Sequence, residues 1–271
     1  MVRALVLRAP GINCDRETAH ACGLAGFETE LVHINFLRKA PERLLNYAFL
    51  VIPGGFSYGD DLGAGTLLAK NLTIYLGEQL RQFIDEGRPV LGICNGFQVL
   101  VRAGLLPGRL TNTSNSLSEI PHSSLTDNAS AQFECRWVTL SVEPSVCIFT
   151  QGREESIELP VAHCEGRFVL GDSTMLTQLQ TNGQVPLVYA NKIQRSGEAI
   201  AYPDNPNGSI GNIAGICNSQ GNVFGLMPHP ERSIRDRQHP QLRRTSDRQG
   251  DGLYIFKNAY EYAQQRERVA R

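Results

Sequence analysis

Residues 88–108, RPVLGICNGFQVLVRAGLLPG, join an apolar run to a helical pattern through a single cysteine. Cys94 stands between Gly92 and Gly96, and G-x-C-x-G has the form of a nucleophile elbow, in which a sharp strand-to-helix turn lifts the nucleophile above a sheet. The glycines let the turn close without side-chain collisions, and the helix N-terminus favours a thiolate. The segment therefore predicts a strand, a helix and a nucleophilic Cys94 between them. A small buried residue in a tight turn is the alternative.

Short apolar runs that end in turn residues recur along the rest of the chain. Helical patterns separate the early runs, over residues 16–23, 67–86 and 96–103. Strand, helix and strand at this spacing predict right-handed crossovers and a largely parallel sheet with helices on both faces. From residue 136 onward the runs lack long helices between them, so we expect mixed or antiparallel strands there. The sequence predicts one α/β domain over residues 1–271.

Two stretches lack this periodicity and predict irregular surface loops. Residues 111–131 are rich in Ser, Thr and Asn, and residues 232–252 are rich in Arg. A short amphipathic helix is expected after the second loop. Its apolar face consists of Phe256, Ala259, Tyr260 and Ala263.

The composition, 41% hydrophobic and 20% charged over 271 residues, is that of an ordinary globular chain. The formal net charge of -1 argues against a nucleic-acid partner. The apolar run near the start is too short for a signal peptide or a membrane span, which predicts a cytoplasmic protein. The seven cysteines are odd in number and form no C-x-x-C pair. They fit neither a disulfide framework nor a zinc site, so we expect free thiols and no metal.

A base for the cysteine is predicted in MPHPE, residues 227–231. Pro228 and Pro230 each lack an N–H and disfavour helix in the preceding residue, so we expect an extended segment. Side chains two residues apart in an extended chain point to the same side, which places His229 beside Glu231. A nucleophile needs a base, and the base needs a group that fixes its tautomer. The pair predicts both; a surface His and Glu among prolines is the alternative.

An oxyanion hole is predicted where Gly54 and Gly55 follow the apolar run AFLVIP. The backbone N–H groups of Gly55 and Asn95 are the expected donors to a tetrahedral intermediate. A phosphate-binding loop is the competing interpretation. It is weakened because no GK[ST] follows and because Asp60 and Asp61 would repel phosphate. A glycine loop without function is the remaining alternative.

GICNGFQ, PGG and HPE, in that order, resemble the class I glutamine amidotransferases. The longer stretches PGGFSYGDDLGAG, AHCEGRF and NPNGSIGNIAGICNSQGNVFGLMPHPER are similar to the members of that family that serve purine biosynthesis, and the similarity spans nearly the whole chain. The resemblance implies a flavodoxin-like sheet and a Cys94, His229, Glu231 triad. Cys164 departs from the pattern, because the family usually has glycine there. The departure affects the expected conformation of that loop.

The resemblance also implies a reaction. Cys94 would attack the side-chain amide of glutamine and form a thioester, while His229 would protonate the leaving ammonia and then activate water. Gln98 matches a glutamine that contacts the substrate in this family. Other residues expected at the substrate are Gly54, Phe133 and Arg136.

Ammonia needs a shielded path to its acceptor, because ammonium in water is not a nucleophile. This chain shows no ATP-binding motif. The resemblance therefore implies a separate synthetase subunit that holds ATP and magnesium and converts formylglycinamide ribonucleotide to formylglycinamidine ribonucleotide. A third small subunit commonly accompanies that arrangement. The Arg-rich residues 232–252 are expected either to dock the partner or to form a solvated loop.

Two other interpretations stay open at this point. One is a different class I amidotransferase or a gamma-glutamyl hydrolase, with the same triad and another acceptor. The other is a non-catalytic member of the fold. SYGDDLGAG together with NPNGS favours the purine enzyme, and the presence of both His229 and Glu231 disfavours a non-catalytic protein.

Overall fold

A nine-stranded sheet organises the computed structural model, which describes residues 1–108, 123–172, 174–191, 200–241 and 249–269. The strands are β1 (Arg3–Arg8), β2 (Glu28–His33), β3 (Phe49–Ile52), β4 (Val90–Ile93), β5 (Ser123–Thr126), β6 (Glu134–Val142), β7 (Ile157–His163), β8 (Arg167–Leu170), β9 (Leu187–Ala190), β10 (Ile213–Cys217) and β11 (Val223–Leu226). The α-helices are α1 (Asp15–Ala25), α2 (Ile34–Lys39), α3 (Thr66–Asp85), α4 (Asn95–Arg102), α5 (Thr174–Thr181) and α6 (Leu253–Val269). Short 3-10 helices cover Pro41–Asn46, Ser57–Asp60, Ile210–Asn212, Pro230–Arg232 and Asp236–Gln238.

The strand order of the large sheet is β2-β1-β3-β4-β11-β10-β9-β6-β7. The first five strands in this order are parallel, and the remaining pairs are antiparallel. Strands β5 and β8 form a separate antiparallel pair. The predicted α/β class is thus confirmed, with a parallel first half and antiparallel later strands.

Burial on both faces of the inner parallel strands explains their apolar composition. In β1, Ala4, Leu5, Val6 and Leu7 are all fully buried, although alternate side chains point to opposite faces. Helices α1 and α6 pack against each other, and α3 packs against α4. Helix α3 buries one stripe, spaced by three or four residues as an amphipathic helix requires. The stripe consists of Leu68, Leu72, Leu76, Leu80 and Phe83.

Strands β5 and β7 differ from the expectation. The predicted loop 111–131 contains β5, whereas residues 109–122 lie outside the described part of the chain. Strand β7 contains Pro160, which disguises the strand in the sequence. Because β7 is an edge strand that pairs with β6 alone among the described strands, the missing N–H of the proline leaves no gap in the sheet. The expected C-terminal helix is present as α6.

The antiparallel half of the sheet curls back toward the carboxyl ends of β4 and β11. Four strands separate β7 from β4 in the sheet order. Even so, the Pro160 carbonyl accepts a hydrogen bond from the His229 N–H at 2.8 Å. The Ala162 carbonyl oxygen lies 3.5 Å from the Cys94 sulfur. Strand β7 therefore forms one wall of the region where the predicted nucleophile and base lie. Across the described helices, none is long and apolar enough to cross a membrane.

Candidate active site

Cys94 occupies the turn between β4 and α4 in a strained backbone conformation. Its φ of 50° and ψ of -105° lie in a region that residues other than glycine rarely adopt, at a cost of roughly 1–3 kcal/mol. The backbone around it holds this conformation, since the Cys94 N–H donates to the Leu226 carbonyl at 2.8 Å and the Cys94 carbonyl accepts from Phe97 at 3.0 Å. The elbow predicted from the sequence is present, with the thiol at the carboxyl end of the central strand.

Close packing explains the two glycines that flank Cys94. A Cβ at position 96 would collide with the Ile52 carbonyl oxygen of β3. A Cβ at position 92 would lie 2.6 Å from the Gly96 carbonyl oxygen and 2.6 Å from a methyl group of Leu100. Both glycines thus allow α4 to approach the sheet closely, and this approach places Cys94 above the strand end.

His229 and Glu231 form a buried pair, with the imidazole Nδ1 at 2.6 Å from the carboxylate Oε1. The backbone differs from the expected extended segment. His229 itself is extended, but Pro230–Arg232 forms a 3-10 turn. The two side chains therefore meet through a turn and not through strand alternation, so the prediction of an extended segment up to Glu231 is wrong.

Charge around the imidazole raises the pKa of His229 well above its ordinary value. Burial alone lowers this pKa, but the Glu231 carboxylate and then Cys94 outweigh that effect. The ring Nε2 and the Glu231 Oε2 are buried and have no hydrogen-bond partner of normal geometry within the described residues. The site thus favours a protonated imidazole, with one ring nitrogen held by Glu231 and the other available for the reaction.

The predicted oxyanion donors lie on either side of the elbow. Gly55 has a φ of 142°, which a side chain would strain, and a Cβ there would meet the backbone of residues 11–13 at 2.8 Å. The Gly55 and Asn95 N–H groups have no hydrogen-bond acceptor in the described parts of the protein. Two unpaired N–H groups near the thiol are the arrangement that stabilises an oxyanion. Gly54 faces the base, since a Cβ there would lie 2.8 Å from the His229 ring.

Gln98 connects the elbow helix to the loop after β7. Its Nε2 donates to the Glu165 carbonyl at 2.6 Å, and its Oε1 accepts from the Asn95 amide at 2.9 Å. The Asn95 amide also donates to the Asp60 carboxylate at 3.0 Å, and its Oδ1 accepts from the Ser57 N–H at 3.1 Å. These contacts fix three segments around the elbow. A role for Gln98 in binding glutamine stays a prediction.

Phe133 and Arg136 do not join this cluster. Phe133 is 49% exposed. The Arg136 guanidinium binds Glu134 at 2.5 Å and the Tyr202 hydroxyl at 2.6 Å. Among the described side chains, neither residue has a polar contact with Cys94 or His229. Their expected role at the substrate stays a prediction without support from this geometry.

A second histidine beside the base was not predicted. His163, at the end of β7, is buried, and burial together with His229 lowers its pKa to about 4. The Asn128 amide nitrogen donates to the carbonyls of Gln132 and His163. The Asn128 Oδ1 therefore faces the His163 Nδ1, at 3.0 Å, and the neutral ring carries its proton on Nδ1. His163 lies in the AHCEGRF stretch, residues 162–168. No rule of sequence spacing relates this stretch to the turn that carries Cys94.

Cys14 was also missed, although it lies beside the base. This buried thiol follows β1, and its N–H donates to the Gly54 carbonyl at 3.3 Å. One ligand atom each of Cys14, His229 and Glu231 lie within 4.8 Å of one another. The Arg232 guanidinium donates to the Cys14 sulfur at 3.1 Å and pairs with Glu17 at 2.8 Å. More than 200 residues separate Cys14 from His229, so only the fold brings them together.

Several known proteins are similar to this chain. The family model of the CobB/CobQ-like glutamine amidotransferase domain matches residues 1–263. The phosphoribosylformylglycinamidine synthase subunit PurQ of Dehalococcoides mccartyi is 45% identical over 266 residues, which cover 97% of this chain and 98% of that protein. PurQ of Treponema denticola is 47% identical, with coverage of 86% and 88%. Among solved structures, PurLQS from Thermotoga maritima contains a chain that is 33% identical, with a TM-score of 0.71 and coverage of 96% and 98%.

Proposed function

Because this chain belongs to the CobB/CobQ-like glutamine amidotransferases, and within them to the PurQ subunits of phosphoribosylformylglycinamidine synthase, we propose that Cys94, His229 and Glu231 are its glutaminase centre. The protein is a glutamine amidotransferase of purine biosynthesis. The observation that carries the proposal is the buried His229, held by Glu231 at 2.6 Å, at the strand end where the strained Cys94 lies.

In the proposed reaction, the Cys94 sulfur attacks the side-chain amide carbon of glutamine, and the carbonyl oxygen becomes an oxyanion. The N–H groups of Gly55 and Asn95 would stabilise that charge, an effect typically worth about 3 kcal/mol per donor. The His229 imidazolium donates its proton to the departing nitrogen, and ammonia leaves. The Cys94 thioester remains.

In the hydrolysis of the thioester, His229 accepts a proton, whereas in the first step it donates one. Neutral His229 takes a proton from water as the water attacks the thioester carbon, and glutamate leaves as the sulfur regains its charge. Glu231 accepts the Nδ1 hydrogen throughout, which leaves Nε2 toward the reacting atoms. The raised pKa of His229 suits the first step, where the ring must carry a proton.

We further propose that the ammonia passes to a synthetase subunit that holds ATP and magnesium and amidates formylglycinamide ribonucleotide. The presence of a homologous chain in PurLQS supports a multisubunit complex. A third small subunit in that complex is part of the proposal. A cytoplasmic location stays a prediction.

The Arg-rich segment divides into two parts in this proposal. Arg232 contacts Cys14 and Glu17, so it is part of the surroundings of the triad. Residues 242–248 lie outside the described part of the chain. Docking of the synthetase by the exposed part of residues 232–252 stays a prediction.

A glutamine-analogue electrophile tests the nucleophile directly. We expect covalent labelling of Cys94 only, located by mass spectrometry of the digested chain, with glutamine slowing the reaction. Labelling of Cys147 or Cys217, or no labelling, would contradict the proposal. Both of these cysteines are buried.

The Cys94→Ala variant tests the function in the assembled complex. We expect loss of glutamine-dependent synthesis, because no thioester can form, and unchanged synthesis from added ammonium salts. Exposed Cys135 offers a matched control, and Cys135→Ala should keep both activities. Loss of both activities in Cys94→Ala would instead indicate that Cys94 serves folding or docking.

A further inference from the structure

Cys14 is a buried thiol at the active site that the proposed reaction does not use. It is 1% exposed, and its sulfur lies beside the imidazole, since a Cβ placed on Gly54 would contact both the Cys14 sulfur at 3.2 Å and the His229 ring at 2.8 Å. The Glu231 carboxylate completes a group in which one sulfur, one nitrogen and one oxygen lie within 4.8 Å of one another.

Two atoms of this group lack protein partners. The Glu231 Oε2 and the His229 Nε2 are buried and have no hydrogen bond within the described residues. Nε2 serves the reaction with Cys94, but Oε2 has no such use. A buried carboxylate oxygen without a donor is rare, because its desolvation is not compensated. The carboxylate therefore keeps an oxygen that can bind an ion, and the imidazole can bind one through Nδ1, the nitrogen that faces Glu231.

The donor set matches that of a zinc ion. Zinc binds thiolate, imidazole and carboxylate at about 2.0–2.3 Å in tetrahedral geometry. Ligand atoms around such an ion are spaced by roughly 3–4 Å, so small side-chain movements from the present separations suffice. A Cys14 thiolate and the Glu231 carboxylate together would balance the two positive charges. Three protein ligands would leave the fourth position for water or a further ligand.

The positive charge of Arg232 disfavours binding of a cation at this group. Its guanidinium donates to the Cys14 sulfur at 3.1 Å and lies 3.9 Å from the Glu231 carboxylate. It also pairs with Glu17 at 2.8 Å on the partly exposed side. Arg232 therefore keeps a partner when the sulfur is taken by an ion.

We propose that Cys14, His229 and Glu231 form an inhibitory binding site for a zinc ion. An ion held there occupies the imidazole and the carboxylate that orients it, so the base cannot serve the reaction. The inhibition rests on the proposed function, whereas binding of the ion does not. The sequence predicted no metal site because its cysteines and histidines lack a ligand spacing. This group is assembled from segments more than 200 residues apart.

Zinc binding is measured first, without glutamine, on the full chain after removal of metals by a chelator. Competition with a chromophoric zinc indicator gives the affinity for the wild type, Cys14→Ser, Cys94→Ser and the control Cys135→Ser. We expect one zinc ion per chain in the wild type and the control, and affinity weaker by about tenfold or more in Cys14→Ser, which lacks one of the ligands. A weaker affinity in Cys94→Ser as well would still support the site, with Cys94 as its fourth ligand.

Three results would overturn the proposal: no zinc binding by the wild type, equal affinity in Cys14→Ser, or loss of binding in Cys94→Ser alone. Cobalt provides a measurement that does not depend on the folding of Cys14→Ser. In Cys94→Ser loaded with Co²⁺, a thiolate-to-cobalt charge-transfer band must remain, and its absence contradicts the site. Circular dichroism of each variant shows whether it folds.

Glutaminase assays then separate this proposal from the proposed function. We expect zinc to inhibit the wild type, a chelator to restore the rate, and glutamine to protect. For Cys14→Ser, the zinc concentration that halves the glutaminase rate should rise by at least the factor by which its zinc affinity falls. Each rate is expressed relative to the rate of the same variant without zinc. A chain that binds zinc through Cys14 but hydrolyses no glutamine would contradict the proposed function and leave the metal site standing.

Discussion

Glu231 carries the charge that decides the protonation of the proposed base. Its carboxylate is the main influence that raises the pKa of His229 against the effect of burial. In Glu231→Gln we expect kcat for glutamine hydrolysis to fall by about 10²-fold or more, because the amide can hold the ring in the wrong tautomer. The alkaline limb of the pH–rate profile should move to lower pH, because the imidazolium loses its proton more easily.

The measurement is the pH dependence of glutaminase rate for the wild type and Glu231→Gln. Glu17→Gln is a suitable control, because Glu17 pairs with Arg232 but is not the partner of the imidazole. An alkaline limb that stays in place in Glu231→Gln would mean that another group than His229 controls it.

Residue types in the sequence indicated the proposed nucleophile and base, but not the buried residues around them. Cys94 was found because its glycines lie next to it in the chain, and His229 because its carboxylate follows two residues later. Cys14 and His163 carry no such local signal. Their positions at the site depend on the contact of β1 with β3 and on the curl of the antiparallel strands. Sequence spacing does not report either feature.

At the scale of elements, the packing of α4 on β3 requires a residue without a side chain at position 96. Gly96→Ala places a Cβ against the Ile52 carbonyl, which is backbone of a buried strand and cannot move freely. We expect a loss of roughly 1–3 kcal/mol in the free energy of unfolding, as for other overpacked core positions. Glutaminase activity should also fall, because α4 carries the N–H of Asn95.

Gly77, inside α3, provides a control in which substitution by alanine should change the free energy of unfolding in the opposite direction. A Cβ there meets nothing within 4 Å, and its φ is not in the left-handed region. Gly77→Ala should therefore raise the free energy of unfolding by about 0.5–1 kcal/mol through helix propensity alone. Urea unfolding of both variants measures the pair. A stabilised Gly96→Ala would show that α4 is not packed on β3 as described.

Helix positions were predicted to within one or two residues because each apolar stripe is regular over several turns. The expected helix 67–86 is α3, Thr66–Asp85, and the expected helix 96–103 is α4, Asn95–Arg102. Strand β7 was missed because Pro160 normally argues against a strand, and only its place at the sheet edge makes the proline acceptable. Helices α2 and α5 were missed because each is too short to show a stripe.

At the scale of the whole molecule, we expect the stability of the folded protein to decrease in acid because of the buried His163. Its pKa is lowered from 6.5 to about 4 in the folded protein, chiefly by burial. Between these values the unfolded chain binds a proton that the folded chain does not, so stability falls as the pH decreases from 6.5 toward 4. At about 1.4 kcal/mol per pH unit, the loss from this group is about 3 kcal/mol.

Unfolding free energies at several pH values between 4 and 7 test this expectation. His163→Gln lacks the titrating group, so its stability should fall less over that range than the stability of the wild type does. The exposed His20 supplies the control, and His20→Gln should follow the wild type. Parallel curves for the wild type and His163→Gln would show that His163 is not buried in its neutral form.

The backbone of Cys94 has a consequence for the evolution of such a chain. A residue with a side chain is strained at φ 50° and ψ -105°, whereas glycine adopts these angles freely. Folding and function thus prefer different residues at position 94. In a mutant library sorted for thermostability alone, with purines supplied in the growth medium, glycine should become enriched at that position, and growth without purines should restore cysteine.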